Sequence, residues 1–145
     1  MKKEKILVSA CLLGEACRYD GKSVPCIDIG LLSDKYDIIA VCPEVAGGLP
    51  TPRVPSERVG ISVINKAGAD VTDNYNLGAK SALDLCKKYR IKLAVMKERS
   101  PSCGSDKIYD GRFSGKLIPG QGVTTELLRK HGVKVFGESE IKKLL

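Results

Sequence analysis

The chain of 145 residues is 43% hydrophobic and 28% charged, an ordinary globular composition at the size of one domain, which excludes fibrous and wholly disordered classes. Lys and Arg outnumber Asp and Glu to give a net charge of +7, enough to tolerate anionic partners without naming one. A membrane span needs about 20 apolar residues, and apolar runs such as Ile38 to Cys42 fall far short.

In chain order, the start Met-Lys-Lys-Glu-Lys is like a signal n-region, but only Ile6 to Val8 and Ala10 to Leu13 follow before charge returns. That is too short for export, so a cytoplasmic protein is expected. Lys5 to Cys11 reads as a buried strand, stopped near Gly14; the loop Gly14 to Gly21 follows, then a short helix over Cys26 to Lys35. Tyr36 to Cys42 is a second strand, stopped by Pro43. Gly47 to Val71 departs from this pattern, with Gly47-Gly48, prolines at 50, 52 and 55 and a strand-like Gly60 to Ile64; it reads as an ordered excursion. Ala79, Ala82, Leu83 and Cys86 lie on one face of a helix from about Asn76 to Tyr89. Ile91 to Met96 is a third strand and Val133 to Phe136 a fourth. Between these two, Thr124 to Lys130 is a helix with Thr124 as its cap and Gly132 as its stop. Glu138 to Leu145 closes the chain as another helix. Tyr-Asp-Gly at 19–21 and 109–111 reads as two turns.

Strands alternating with helices predict an α/β fold: one domain over residues 1–145, with a mostly parallel sheet of about four or more strands and helices on both faces, a Rossmann-like three-layer arrangement.

Six cysteines, at 11, 17, 26, 42, 86 and 103, sit in a chain with no CxxC, which removes the zinc ribbon, the thioredoxin motif and the local ferredoxin run. In a reducing compartment such a set points to metal ligation or thiol chemistry rather than crosslinks. Ligands bind beyond the carboxyl ends of parallel strands. Cys11 and Cys42 end the first two strands, and Cys103 follows the third in Ser100-Pro-Ser-Cys-Gly104. With neighbouring strands about 4.8 Å apart, these three converge. Three thiols with no neighbouring histidine suit a soft metal or an iron–sulfur cluster; the bland alternative is that small apolar cysteines fill buried strand ends. His131 reads as a helix C-terminal residue and Cys86 as core. Cys26 reads as a bystander, and Cys17 stays open as a fourth ligand, a sulfur-handling thiol or a bystander.

Glu44, two residues beyond Cys42, and Ser100 and Ser102, just before Cys103, are titratable or hydrogen-bonding groups beside that centre. A carboxylate there serves as a general base or acid; the alternatives are a cap for Glu44 and turn bonding for the serines. Gly120-Gln-Gly-Val-Thr124 reads as a tight helix entry rather than an anion cradle, and Arg18 and Arg53 as surface charges. Aromatics are scarce, and no nucleic-acid module is present.

Taken together, Val8-Ser-Ala-Cys-Leu-Leu-Gly14 with Cys17-Arg-Tyr-Asp-Gly21, Cys42-Pro-Glu44 with Gly47-Gly-Leu-Pro-Thr-Pro-Arg53, and Ser100-Pro-Ser-Cys-Gly104 with Tyr109-Asp-Gly111, Phe113 and Gly120-Gln-Gly122 resemble the thiouracil desulfidase family over nearly the whole chain. The resemblance implies a [4Fe–4S] cluster held by Cys11, Cys42 and Cys103 with one iron open to a thiocarbonyl sulfur. It implies Glu44 and Ser100 as acid/base and substrate-activating residues. The implied activity is non-redox, hydrolytic desulfuration of thiolated pyrimidines such as 2-thiouracil. The partner would be a small thiolated heterocycle, with neither membrane nor nucleic acid and with a monomer or a homodimer both open. The alternative is a non-catalytic iron–sulfur or metal carrier or sensor.

Overall fold

The computed structural model describes residues 3–22, 26 and 28–145. Four parallel strands make the central sheet: β1 (Glu4–Ser9), β2 (Tyr36–Val41), β5 (Leu93–Met96) and β8 (Lys134–Gly137), in the order β2-β1-β5-β8. β1 and β2 run in register from Glu4 opposite Tyr36 to Ser9 opposite Val41. The chain leaves β1 toward β2 on one side and later returns to β5 on the other. The crevice at the ends of β1 and β5 is therefore a topological switch point, where α/β sheets bind ligands.

Both faces of the sheet are covered, which is why its strands read as unbroken apolar runs rather than alternating ones. Ile6, Val8 and Val95 point to one face, packing with Leu32 of α1 (Ile29–Lys35) and with Ile141 and Leu144 of the C-terminal 3₁₀ helix (Glu138–Leu144). Leu7, Ala94 and Met96 point to the other, packing with Ala82, Leu83 and Cys86 of α3 (Thr72–Tyr89) and Leu128 of α4 (Val123–Lys130). The expected three-layer α/β architecture is the observed one.

Two short antiparallel hairpins add to it: β3 (Ser56–Val59) with β4 (Ser62–Asn65), and β6 (Lys107–Tyr109) with β7 (Leu117–Pro119). Of these strands only β4 has a counterpart in the expected elements. Arg58 ties the first hairpin to the start of α4, donating to the Gln121 carbonyl at 2.7 Å and pairing with Glu126 at 3.0 Å.

Several boundaries differ from expectation. α1 starts at Ile29, and Ile27, inside the stretch read as helix from Cys26, lies outside the described residues. α3 starts at Thr72, four residues earlier than its apolar spacing indicated, because Asp70 accepts from the Thr72 amide at 2.9 Å and supports the first turn. The closing helix is 3₁₀ rather than α. Cys11 lies not in β1 but in the 3₁₀ turn Ala10–Leu13 that follows it, which ends at Gly14 with φ 96°. Among the described residues no helix is long and apolar enough to cross a membrane.

Candidate active site

A cavity of about 490 Å³ opens beyond the carboxyl ends of β1, β2 and β5, within the usual size range for small-molecule sites. Cys11, Cys17, Cys42 and Cys103 all line it, together with Glu44 and Ser100. Cys86 is core, Cys26 packs half-buried beside Leu12, and the exposed His131 caps the end of α4. Thus the three cysteines expected to converge share one cavity, and Cys17 joins them.

Each position follows from local structure. Cys42 directly precedes Pro43, which opens the one-turn helix α2 (Pro43–Ala46) with its ring at the first position, where the missing amide hydrogen costs nothing. α2 lies backbone to backbone on α3: a Cβ on Gly78 would collide with the Pro43 carbonyl oxygen. That close approach sets Glu44 beside Tyr75 of α3. Cys103 sits in a turn where the Ser100 carbonyl accepts from Gly104 at 2.8 Å. The turn is fixed from behind by α4, whose first amides need acceptors. Val123 donates to the Pro101 carbonyl and Thr124 to the Ser102 carbonyl, while the Thr125 hydroxyl donates to the Cys103 carbonyl at 2.8 Å. Backbone carbonyls thus do the capping expected of Thr124, whose hydroxyl bonds to Ser102 Oγ at 2.8 Å instead.

The two serines therefore separate. Ser102 is fully buried, engaged with Thr124 and away from the cavity. Ser100 lines the cavity, and its Oγ accepts from the amides of Ser102 at 3.1 Å and Cys103 at 3.0 Å. With both lone pairs taken, the hydroxyl hydrogen is what Ser100 has left to offer a ligand.

Glu44 neither caps a helix nor faces solvent freely. Its Oε1 accepts from Tyr75 Oη at 2.8 Å and from Arg53 Nε at 3.1 Å. Among the described residues no donor reaches Oε2, and no buried side-chain oxygen is left unpartnered; Oε2 is the oxygen open to a ligand or water. Arg53, expected as a surface charge, is a correction: its side chain is 6% exposed. It also donates to the carbonyls of Cys17 (3.0 Å) and Pro50 (3.0 Å), so it binds the cysteine loop to the carboxylate. The Arg18 side chain, about a third exposed, lines the cavity mouth near Asp20. Tyr75, 1% exposed, escaped the sequence reading although it continues the apolar face of α3 one turn before Ala79.

The thiols feel one another. Burial pushes Cys11 up to about 11, and the neighbouring Cys42 adds to the shift. Cys17 is pushed up to about 12, by burial first and then by the charge and hydrogen bond of Cys42. Cys103 is raised too, mainly by burial, with Glu44, Cys11 and Cys42 contributing and the Ser9 hydroxyl opposing. The Cys42 thiol donates to the Cys17 carbonyl at 3.7 Å. Burial also raises Tyr75, and the Glu44 charge adds to it, so Tyr75 stays a hydrogen-bond donor at any physiological pH.

Residues 6–140 match the family described as 2-thiouracil desulfurase. The chain is 41% identical over 150 residues to the uncharacterized protein YbbK of Bacillus subtilis (strain 168), covering 97% of this chain and 99% of that one. A solved structure titled [4Fe-4S]-dependent thiouracil desulfidase TudS superposes with a TM-score of 0.93 at 51% identity, over 98% of this chain and 95% of the other. The chain thus belongs to the 2-thiouracil desulfurase family.

Proposed function

We propose that this protein removes the sulfur of a thiolated pyrimidine such as 2-thiouracil by hydrolysis, using a [4Fe–4S] cluster held by Cys11, Cys42 and Cys103. The observation that carries the reading is the meeting of those three thiols with Glu44 and Ser100 on one cavity at the strand ends. The donor set fits the cluster. Among the described residues its cavity is lined by soft thiol sulfurs and by no histidine, the ligand chemistry that iron–sulfur clusters take, each thiolate on a different iron. When bound through three protein ligands, the cluster supplies an open iron that acts as a sulfur-seeking Lewis acid.

The chain's own residues do the rest. Ser100 donates its hydroxyl hydrogen to a heteroatom of the bound ring and orients the thiocarbonyl carbon. Glu44 Oε2 takes a proton from a water that adds to that carbon, while Tyr75 and Arg53 hold Oε1 so that the carboxylate keeps one orientation. The carbon–sulfur bond then breaks, with its electrons leaving on sulfur, and the carbon becomes a carbonyl. In sum, thiocarbonyl plus water gives carbonyl plus hydrogen sulfide, with no change of oxidation state. Cys17, on a loop rather than a strand end, is assigned no ligand role. Residues 1–145 act as one catalytic domain, in the cytoplasm, where reduced thiols and clusters persist; the partner is a small molecule rather than a nucleic acid.

The test is anaerobic turnover of 2-thiouracil in ¹⁸O-labelled water. Sulfide release equal to uracil formation, with the label in uracil, supports hydrolysis; uracil without label, or no sulfide, refutes it.

A further inference from the structure

One wall of the cavity is built from a backbone conformation that ordinary packing does not require. Phe113, in the loop between β6 and β7, has φ 55°, a left-handed conformation uncommon for a bulky side chain. The structure over-determines it. Glu57 of β3 is buried, and its Oε1 accepts from the amides of Gly111 at 2.9 Å and Phe113 at 3.1 Å. Gly111, at φ 93°, could carry no side chain, since a Cβ would lie 2.6 Å from Val59 Cγ2. Glu57 makes no ion pair among the described residues, and both of its side-chain hydrogen bonds are to this loop. A buried carboxylate spent on two loop amides, holding an aromatic residue in a strained conformation, is the pattern of a positioned functional side chain. Phe113 is one of the residues that border the cavity holding the thiols, Glu44 and Ser100.

We propose that Phe113 is a stacking platform that selects flat, conjugated six-membered rings, and that Glu57 is the positioning residue that presents it. This rests on the desulfidase reading and narrows its substrate class: a thiocarbonyl alone is not sufficient, and the ring that carries it must offer a π face. Stacking of a base on an aromatic side chain is sequence-tolerant and changes affinity by about tenfold or more.

The test compares 2-thiouracil with 5,6-dihydro-2-thiouracil, which keeps the thiocarbonyl but loses the flat conjugated ring. Wild type, Phe113→Leu, Phe113→Tyr and Glu57→Met are assayed as holoenzymes with iron content measured, and binding of uracil and dihydrouracil is followed by calorimetry. The wild type should prefer the planar member of each pair by about tenfold, a typical scale for one stacked base. Phe113→Leu should raise KM for 2-thiouracil by about the same factor, leave kcat and iron content within a few-fold, and erase the preference in both assays. Phe113→Tyr should restore it. Glu57→Met, which removes the acceptor for the Gly111 and Phe113 amides at similar side-chain length, should weaken the preference in the same direction. Unchanged KM and preference in an iron-loaded Phe113→Leu enzyme would overturn the platform while leaving the desulfidase reading intact. If Phe113→Leu does not fold, a Glu57→Met enzyme that is iron-loaded and keeps the wild-type preference overturns it equally. A wild-type holoenzyme releasing sulfide from neither compound overturns the activity and the platform together.

Discussion

The floor and the wall of the cavity are built on different physics. The floor is the end of the parallel sheet, whose two faces are sealed by apolar side chains: β1 and β2 lead directly to Cys11 and Cys42, and β5 leads to Cys103 through the turn that α4 holds. The wall is two hairpins with strands of three or four residues, each anchored by one buried apolar side chain, Val63 or Ile108, and otherwise set by a few polar contacts from Glu57 and Arg58. A floor set by the hydrophobic core cannot shift without cost to the whole fold. A wall pinned by single side chains can be altered locally, so the proposed chemistry falls to the first and the proposed ring selection to the second.

This contrast is sharpened by substitutions on each side. Glu44→Gln keeps an oxygen for Tyr75 and Arg53 but removes the proton acceptor; kcat should fall by about 10²- to 10⁴-fold with iron content unchanged. Full activity would place the chemistry elsewhere, and no activity in the wild type would favour a carrier. Next in size is the pair Leu7→Ala and Ile61→Ser, compared by urea unfolding. Leu7 is fully buried in the central strand, and its truncation should cost about 2–5 kcal/mol. Ile61, at the tip of the β3–β4 turn and 87% exposed, should change stability by no more than about 0.5 kcal/mol. Equal effects would erase the distinction between core-built floor and surface-built wall.

Below that lies an effect of pH on the core beneath the floor. Burial pushes Cys86 up to about 11 from 9.0. Below pH 9 the thiol is protonated in both folded and unfolded chains; as pH rises from 9 to 11 the unfolded chain ionises first, so stability is lost. The loss from this residue approaches about 2–3 kcal/mol at the upper end. Cys86→Ala should therefore show a shallower decline in urea midpoint between about pH 8 and about pH 10.5 than wild type. An identical slope would mean that the thiol is not sealed from water.

The same contrast explains what the sequence disclosed. The four sheet strands were legible because burial on both faces leaves uninterrupted apolar runs, and α3 because its small apolar residues recur at helical spacing. The three strand-end cysteines could be selected on that basis alone. The wall could not: β3, β6 and β7 are too short to carry a period, and their placement depends on Glu57 and Arg58 reaching residues more than 50 positions away. Arg53 read as a surface charge because nothing local announces that Glu44, nine residues earlier, will fold back beside it. Thr124 read as a cap because its type and position suit one, but the Pro101 to Ser102 carbonyls already occupy the α4 amides. Tyr75 was within reach of the helical pattern; extending α3 by one turn would have found it.

The central claim is that three strand-end cysteines, and not Cys17, hold a cluster with one open iron. Anaerobic reconstitution followed by iron and acid-labile sulfide quantification tests it directly in the wild type and in Cys11→Ser, Cys42→Ser, Cys103→Ser and Cys17→Ser. The account predicts about four of each per chain in wild type and Cys17→Ser, and loss in each of the other three. A Cys17→Ser protein that loses the cluster, or any of the three that keeps it intact, would contradict the assignment.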